Sequence, residues 1–126
     1  LVEQASRDID EPEWFDVVQQ VFAALDSKVP LRLAQLWFYL HYAALTGYDL
    51  SLSRDVTGAA LSPEKTYMYD VGERGLRPSQ QGEIVADHIK FLRIAAAKPL
   101  ATVAQIGGVE AILSDCWLLA RQHAAV

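Results

Sequence analysis

The sequence has one cysteine, Cys116, and one methionine, Met68. A lone thiol cannot close an internal disulfide, so a stapled secreted scaffold is excluded and a reducing, cytoplasmic setting is expected. Charge is sparse too: 21% of residues are charged against 52% hydrophobic, which excludes a chain too polar to bury a core. The seven glycines follow no period, and there are no repeats, linkers or low-complexity segments. Leu31 to Leu45, the most apolar run, is interrupted by Arg32, Gln35 and His41 and is shorter than the ~20 residues a membrane span needs. No basic-then-apolar leader stands at the start, and the chain opens on Leu1, so a fragment of a longer protein is expected.

The 126 residues are enough for one domain with a substantial core, read as 1–126. The net charge of −5 opposes a surface-wide affinity for nucleic acid, but it is unevenly spread. Residues 1–26 carry seven acids against Arg7, leaving nine acids and ten bases in the rest, so a local basic patch is feasible.

Asp10, Pro12 and Glu13 supply an N-cap acid, a first-turn proline and a capping-box glutamate, predicting a helix over 12–26. Trp14, Val18, Val21, Phe22 and Leu25 are its expected core face, with Asp16, Gln19 and Gln20 left to solvent. Pro30 opens a second helix, Leu31 to Leu45, apolar on most sides and stopped by Gly47. Residues 48–61 read as loop. The alternation of Tyr67, Met68, Tyr69, Asp70 and Val71, followed by Gly72-Glu73-Arg74-Gly75, predicts a β-hairpin with a four-residue loop. Pro78-Ser79 suggests a third helix over 79–97, with Ile84, His88, Ile89, Leu92 and Ala95 inward and Glu83, Asp87, Lys90 and Arg93 outward. A short helical turn over 100–106 and a final helix from Val109 complete a mainly α domain, a helical bundle with one short hairpin.

Catalytic signals are weak. His41, His88 and His123 lie far apart and none sits in a metal-binding helix motif. Asp87 and His88 are adjacent on a helix and therefore diverge by about 100°, which does not make an acid–base pair. Cys116 beside Trp117 lies on an apolar face, where a thiol is core filler rather than a nucleophile. Neither Gly-containing turn has the strand–glycine–helix setting that cradles phosphate. The aromatics Trp37, Phe38, Tyr39, Tyr42 and Tyr48 are capable of stacking bases, but at this density core packing is the expected role. Arg54, Lys65, Arg74 and Arg77, on a loop and a tight hairpin, are candidates for phosphate contact.

Leu31-Arg32-Leu33-Ala34-Gln35-Leu36-Trp37-Phe38-Tyr39-Leu40, running to Thr46-Gly47-Tyr48-Asp49-Leu50, resembles the C-terminal region of RecO, the bacterial recombination mediator. In that family a treble-clef-like zinc module with two cysteine knuckles flanks a hairpin. Gly58, Leu61, Tyr67, Tyr69 and Gly75-Leu76 stand in the corresponding places, but the four cysteine positions fall on Arg54, Thr57, Pro78 and Gln81. A degenerate module without metal is the expectation, held by Tyr67, Tyr69, Val71 and Leu76 packing on the helices.

The resemblance implies a non-catalytic role in single-strand annealing and recombinase loading, with single-stranded DNA, single-stranded-DNA-binding protein and RecR as partners and an oligonucleotide-binding barrel upstream. On that reading Lys90, Arg93 and Lys98, beside an apolar groove, are the candidates for holding the acidic, hydrophobic tail of single-stranded-DNA-binding protein. Two rivals are a small ligand-binding helical regulator and an enzyme whose acid–base pair is assembled by the fold. A buried cavity with convergent polar groups would mark either one.

Overall fold

Helix α1, Glu11–Asp26, opens the computed structural model, which describes residues 11–125. Asp10, the expected N-cap, lies outside the described residues. The inward stripe is Trp14, Val17, Val21 and Ala24, with the Trp14 ring 6.0 Å from Phe38 and 5.9 Å from Tyr42. This corrects the expected face. Phe22 and Leu25 point to solvent, 64% and 42% exposed, while Gln20 turns inward. The reason is tertiary: the helix is apolar on two sides, and the side it buries is set by Trp14 meeting the next helix.

Helix α2, Leu31–Leu45, is the central element, packed between α1 and the last helix. Pro30 precedes it, and its carbonyl accepts the amides of Leu33 and Ala34. Leu33, Ala34, Leu36, Trp37, Leu40 and Ala43 are buried. The helix stops where Gly47 takes φ +87°, a left-handed conformation that lets the Tyr48 amide return to the Ala43 carbonyl at 2.8 Å.

Strands β1, Tyr67–Asp70, and β2, Gly75–Pro78, form the expected hairpin, with Tyr67 opposite Pro78 and Asp70 opposite Gly75. The 71–74 loop is closed by the Asp70 carboxylate, which accepts the Glu73 amide at 3.1 Å and pairs with Arg77 Nε at 2.7 Å. Tyr67 and Leu76 are fully buried, whereas Val71, an expected anchor, is 53% exposed because it falls in the loop instead of the strand.

The third helix is shorter than its periodicity suggests: α3 is Ala86–Ala97. Residues 79–85 stay out of the helix: a turn at 79–82, closed by the Gly82 amide on the Ser79 carbonyl at 3.1 Å, brings Ile84 back to Tyr67, where the two exchange both backbone bonds, 2.8 and 3.0 Å, as a bridge beside the hairpin. His88 then fixes the start of α3 by accepting the Val85 amide on Nδ1 at 3.0 Å. The short α4, Leu100–Val103, takes its first amide bond from α1, where Gln20 Oε1 accepts the Leu100 N–H at 3.0 Å. Helix α5, Glu110–Ala125, closes the bundle on α2 and α3 through Cys116, Leu119, Ala120 and His123. No helix among the described residues is long and apolar enough to cross a membrane.

Candidate functional site

Lys90 and Arg93 are one turn apart on the outer face of α3. Beside them runs a groove of about 200 Å³ between α3 and the Leu61-Ser62-Pro63 segment, with Ala86 and Ile89 as its other wall. Arg93 is held in place by its Nε–H, which donates to the Leu52 carbonyl at 2.8 Å. That contact engages one edge of the guanidinium and leaves its terminal nitrogens for another acceptor. Lys98, the third residue expected on this surface, lies past the end of α3. Its carbonyl accepts Trp37 Nε1–H at 2.9 Å, so its backbone serves the core and the groove is built on Lys90 and Arg93.

The other four bases are dispersed. Arg77 lies in β2, whereas Arg74 lies in the hairpin loop in a left-handed conformation, φ +55°, and the two side chains go to different partners. Arg77 is spent on Asp70, and Arg74 lies over the Tyr48 ring with its guanidinium carbon 4.5 Å from the centroid. Arg54 folds back on its own turn, donating from Nη1 to the Gly58 carbonyl at 2.8 Å. Lys65 is exposed in the turn that precedes β1.

The places of the family's zinc cysteines show why metal does not fit here. Arg54 brings a cation, Pro78 no side-chain donor, and Thr57 and Gln81 neutral groups that are poor zinc ligands. The turn around the first two places is closed by a carboxylate: Asp55 Oδ1 accepts the Thr57 amide at 2.8 Å, the Thr57 hydroxyl at 2.5 Å and the Ala59 amide at 3.3 Å. The Thr57 hydroxyl contact, helped by the two amides and Lys65, holds the Asp55 carboxyl below the usual aspartate value. The segment around the other two places is closed by Thr66, whose hydroxyl donates to the Ser79 carbonyl and whose own carbonyl accepts the Ser79 amide at 3.0 Å.

None of the three histidines meets another. His88 uses Nδ1 on the Val85 amide, so Nε2 carries the proton it shares with Asp115 of α5 at 3.2 Å; the adjacent Asp87 plays no part. His41 stacks on Trp37 at 4.0 Å and donates from Nε2 to the Ala95 carbonyl at 2.9 Å. His123 donates to the Tyr48 carbonyl through Nε2 and accepts the Tyr69 hydroxyl on Nδ1 at 2.8 Å, tying the hairpin to α5. Among the described residues no three His, Cys, Asp or Glu side chains converge. Cys116 is fully buried, and burial pushes its thiol up to about 12, the setting of an inert core residue.

Burial lowers the pKa of both His41 and His123, more than their carbonyl partners raise it. Their folded values lie below 6.5, so the unfolded chain binds more protons as pH falls through that value. Stability from this source is complete above about pH 6.5 and is lost as pH falls from there toward the folded values. The Asp55 and Asp70 carboxyls, both held low by hydrogen bonds, do not titrate in this window. Thermal midpoints measured between pH 7 and pH 5 should therefore decline, and the slope should flatten in His123→Gln; an unchanged slope in that variant would refute the assignment.

A family model described as Recombination protein O C terminal matches residues 2–123. No curated protein and no solved structure matches the chain.

Proposed function

The chain belongs to the recombination protein O C-terminal family, and on that premise we propose that it acts by binding rather than catalysis, as the docking domain of a RecO-like recombination mediator. The observation that supports this reading most is the α3 groove, apolar along Leu61, Pro63 and Ile89 and edged by Lys90 and Arg93. Such a groove suits a short peptide with apolar side chains and carboxylates, the chemistry of the C-terminal tail of single-stranded-DNA-binding protein. In the proposed division of labour an oligonucleotide-binding barrel elsewhere in the full protein makes most single-strand contacts. This domain recruits the tail and RecR, with Arg54 and Lys65 as auxiliary phosphate contacts.

Fluorescence anisotropy with a labelled acidic tail peptide, and in parallel with labelled single-stranded DNA, tests the proposal at low and moderate salt. Lys90→Glu combined with Arg93→Glu should weaken the peptide by about 10–100-fold, the scale of two charge-assisted contacts, while helicity is retained. An unchanged peptide affinity in a folded double variant sinks the docking surface. Salt-sensitive DNA binding lost in Arg54→Glu with Lys65→Glu would assign the phosphate contacts to those two residues.

A further inference from the structure

The second apolar side of α1 has no partner among the described residues. Phe15 and Phe22 are 60% and 64% exposed, two turns apart on one face, and Leu25 is 42% exposed beside them. On another side of α1 a groove of about 290 Å³ runs between α1 and α4, floored by Ala23, Ala24, Ala101 and Ala104. Alanines on both walls allow another backbone to approach as closely as helices pack, about 8–10 Å between axes. A shallower concavity carrying Asp16 and Asp26 adjoins it through Gln20 and Ala23, so carboxylates stand along the rim.

Charge decides what fits. Residues 11–26 contain Glu11, Glu13, Asp16 and Asp26 and not one lysine or arginine, and α4 is uncharged. A second copy docked about a two-fold axis would set Asp16 and Asp26 against their own equivalents, which is repulsive. The chain's own first ten residues hold three acids and one base and are repelled likewise. We infer that the α1–α4 groove is a second docking site, for a basic amphipathic helix of a partner protein, whose apolar side fills the alanine floor while its lysines or arginines reach Asp16 and Asp26 in the adjoining concavity, which Phe22 also lines. The site takes the opposite charge from the Lys90–Arg93 groove and is independent of the reading above. Two partners of opposite sign can therefore be held at once.

A labelled leucine–lysine amphipathic peptide of about 18 residues, long enough for five helical turns, serves as the probe, with the same peptide carrying glutamate for lysine as its counterpart. With the α3 groove closed to acidic peptides by Lys90→Glu and Arg93→Glu, the full 126-residue chain should bind the lysine peptide and not the glutamate one. Phe22→Ala combined with Asp26→Lys, both at exposed positions, should weaken binding about tenfold or more with an unaltered far-ultraviolet spectrum. Lys90→Glu with Arg93→Glu should leave it unchanged, which separates this site from the α3 groove. The inference is overturned if the Lys90→Glu, Arg93→Glu variant binds the two peptides equally, if the wild-type chain does not bind the lysine peptide, or if the Phe22 and Asp26 changes leave the affinity as it was. It is also overturned if sedimentation shows a dimer that Phe22→Ala dissolves, because the face is then a self-association surface.

Discussion

Gly82→Ala should destabilise the domain by about 3 kcal/mol or more, the range of a clash that side-chain repacking cannot relieve. A methyl group at Gly82 would sit 2.3 Å from the Tyr67 carbonyl oxygen, 2.4 Å from its carbon and 2.8 Å from its nitrogen. All three are backbone atoms of a residue whose side chain is fully buried and whose hydroxyl accepts the Ser62 amide at 2.8 Å. Tyr67 cannot retreat without breaking its two backbone bonds to Ile84, and Ile84 cannot move without disturbing the Val85–His88 start of α3. Urea unfolding measures the loss. Gly107→Ala is the control, since a Cβ there meets nothing within 4 Å, and it should stay within about 0.5 kcal/mol of the parent. If Gly82→Ala unfolds at the same urea midpoint as Gly107→Ala, the close approach of the 79–85 segment to β1 is wrong.

Gly82 also marks where the sequence misleads. Ile84 shares a helical phase with His88, Ile89, Leu92 and Ala95, and Pro78-Ser79 has the form of a helix start, so local pattern extends α3 backward by seven residues. Only the pairing of Ile84 with Tyr67, seventeen residues away, overrides it, and a contact of that range leaves no mark in local periodicity. Helix α1 misleads for another reason. Its apolar residues occupy two faces, and which one is buried depends on where Trp14 meets Phe38 and Tyr42. By contrast α2, its stop at Gly47 and the hairpin are legible because each is set by local rules: an apolar run, a left-handed glycine, a period of two.

The candidate site divides in the same way. Lys90 and Arg93 can be placed on one face from helical spacing alone. The wall opposite them, Leu61-Ser62-Pro63, comes from a loop that the hairpin must fold back before it meets α3, and no spacing predicts that. The turn at 54–59 is intermediate. That Arg54 and Thr57 offer no thiolate is evident in the sequence, but Asp55 as the closure of this turn becomes visible only when its carboxylate is seen collecting Thr57 and Ala59.

Trp37→Ala should cost about 3–5 kcal/mol, the usual range for deleting a buried tryptophan, out of a total stability on the order of 5–15 kcal/mol for a domain of this kind. Trp37 is 1% exposed at the centre of α2, lies flat against His41 and donates from Nε1 to the Lys98 carbonyl. The truncation leaves a cavity between α2 and the end of α3 and strips that carbonyl of its donor. Trp37→Phe keeps most of the volume and loses the hydrogen bond, so it should cost less, and the difference between the two variants isolates the packing contribution. Trp117 offers the contrast. It is half-buried, with the Arg32 and Arg121 guanidinium carbons 4.3 and 5.4 Å from its ring and its Nε1–H on Gln35 Oε1, and Trp117→Ala should be the milder change. The comparison also decides what the aromatic run on α2 is for. If Trp37→Ala melted like the parent while single-stranded DNA affinity fell, Trp37 would be a base-stacking residue. Loss of stability with DNA affinity following the folded fraction places it in the core that positions α3 and the groove on its outer face.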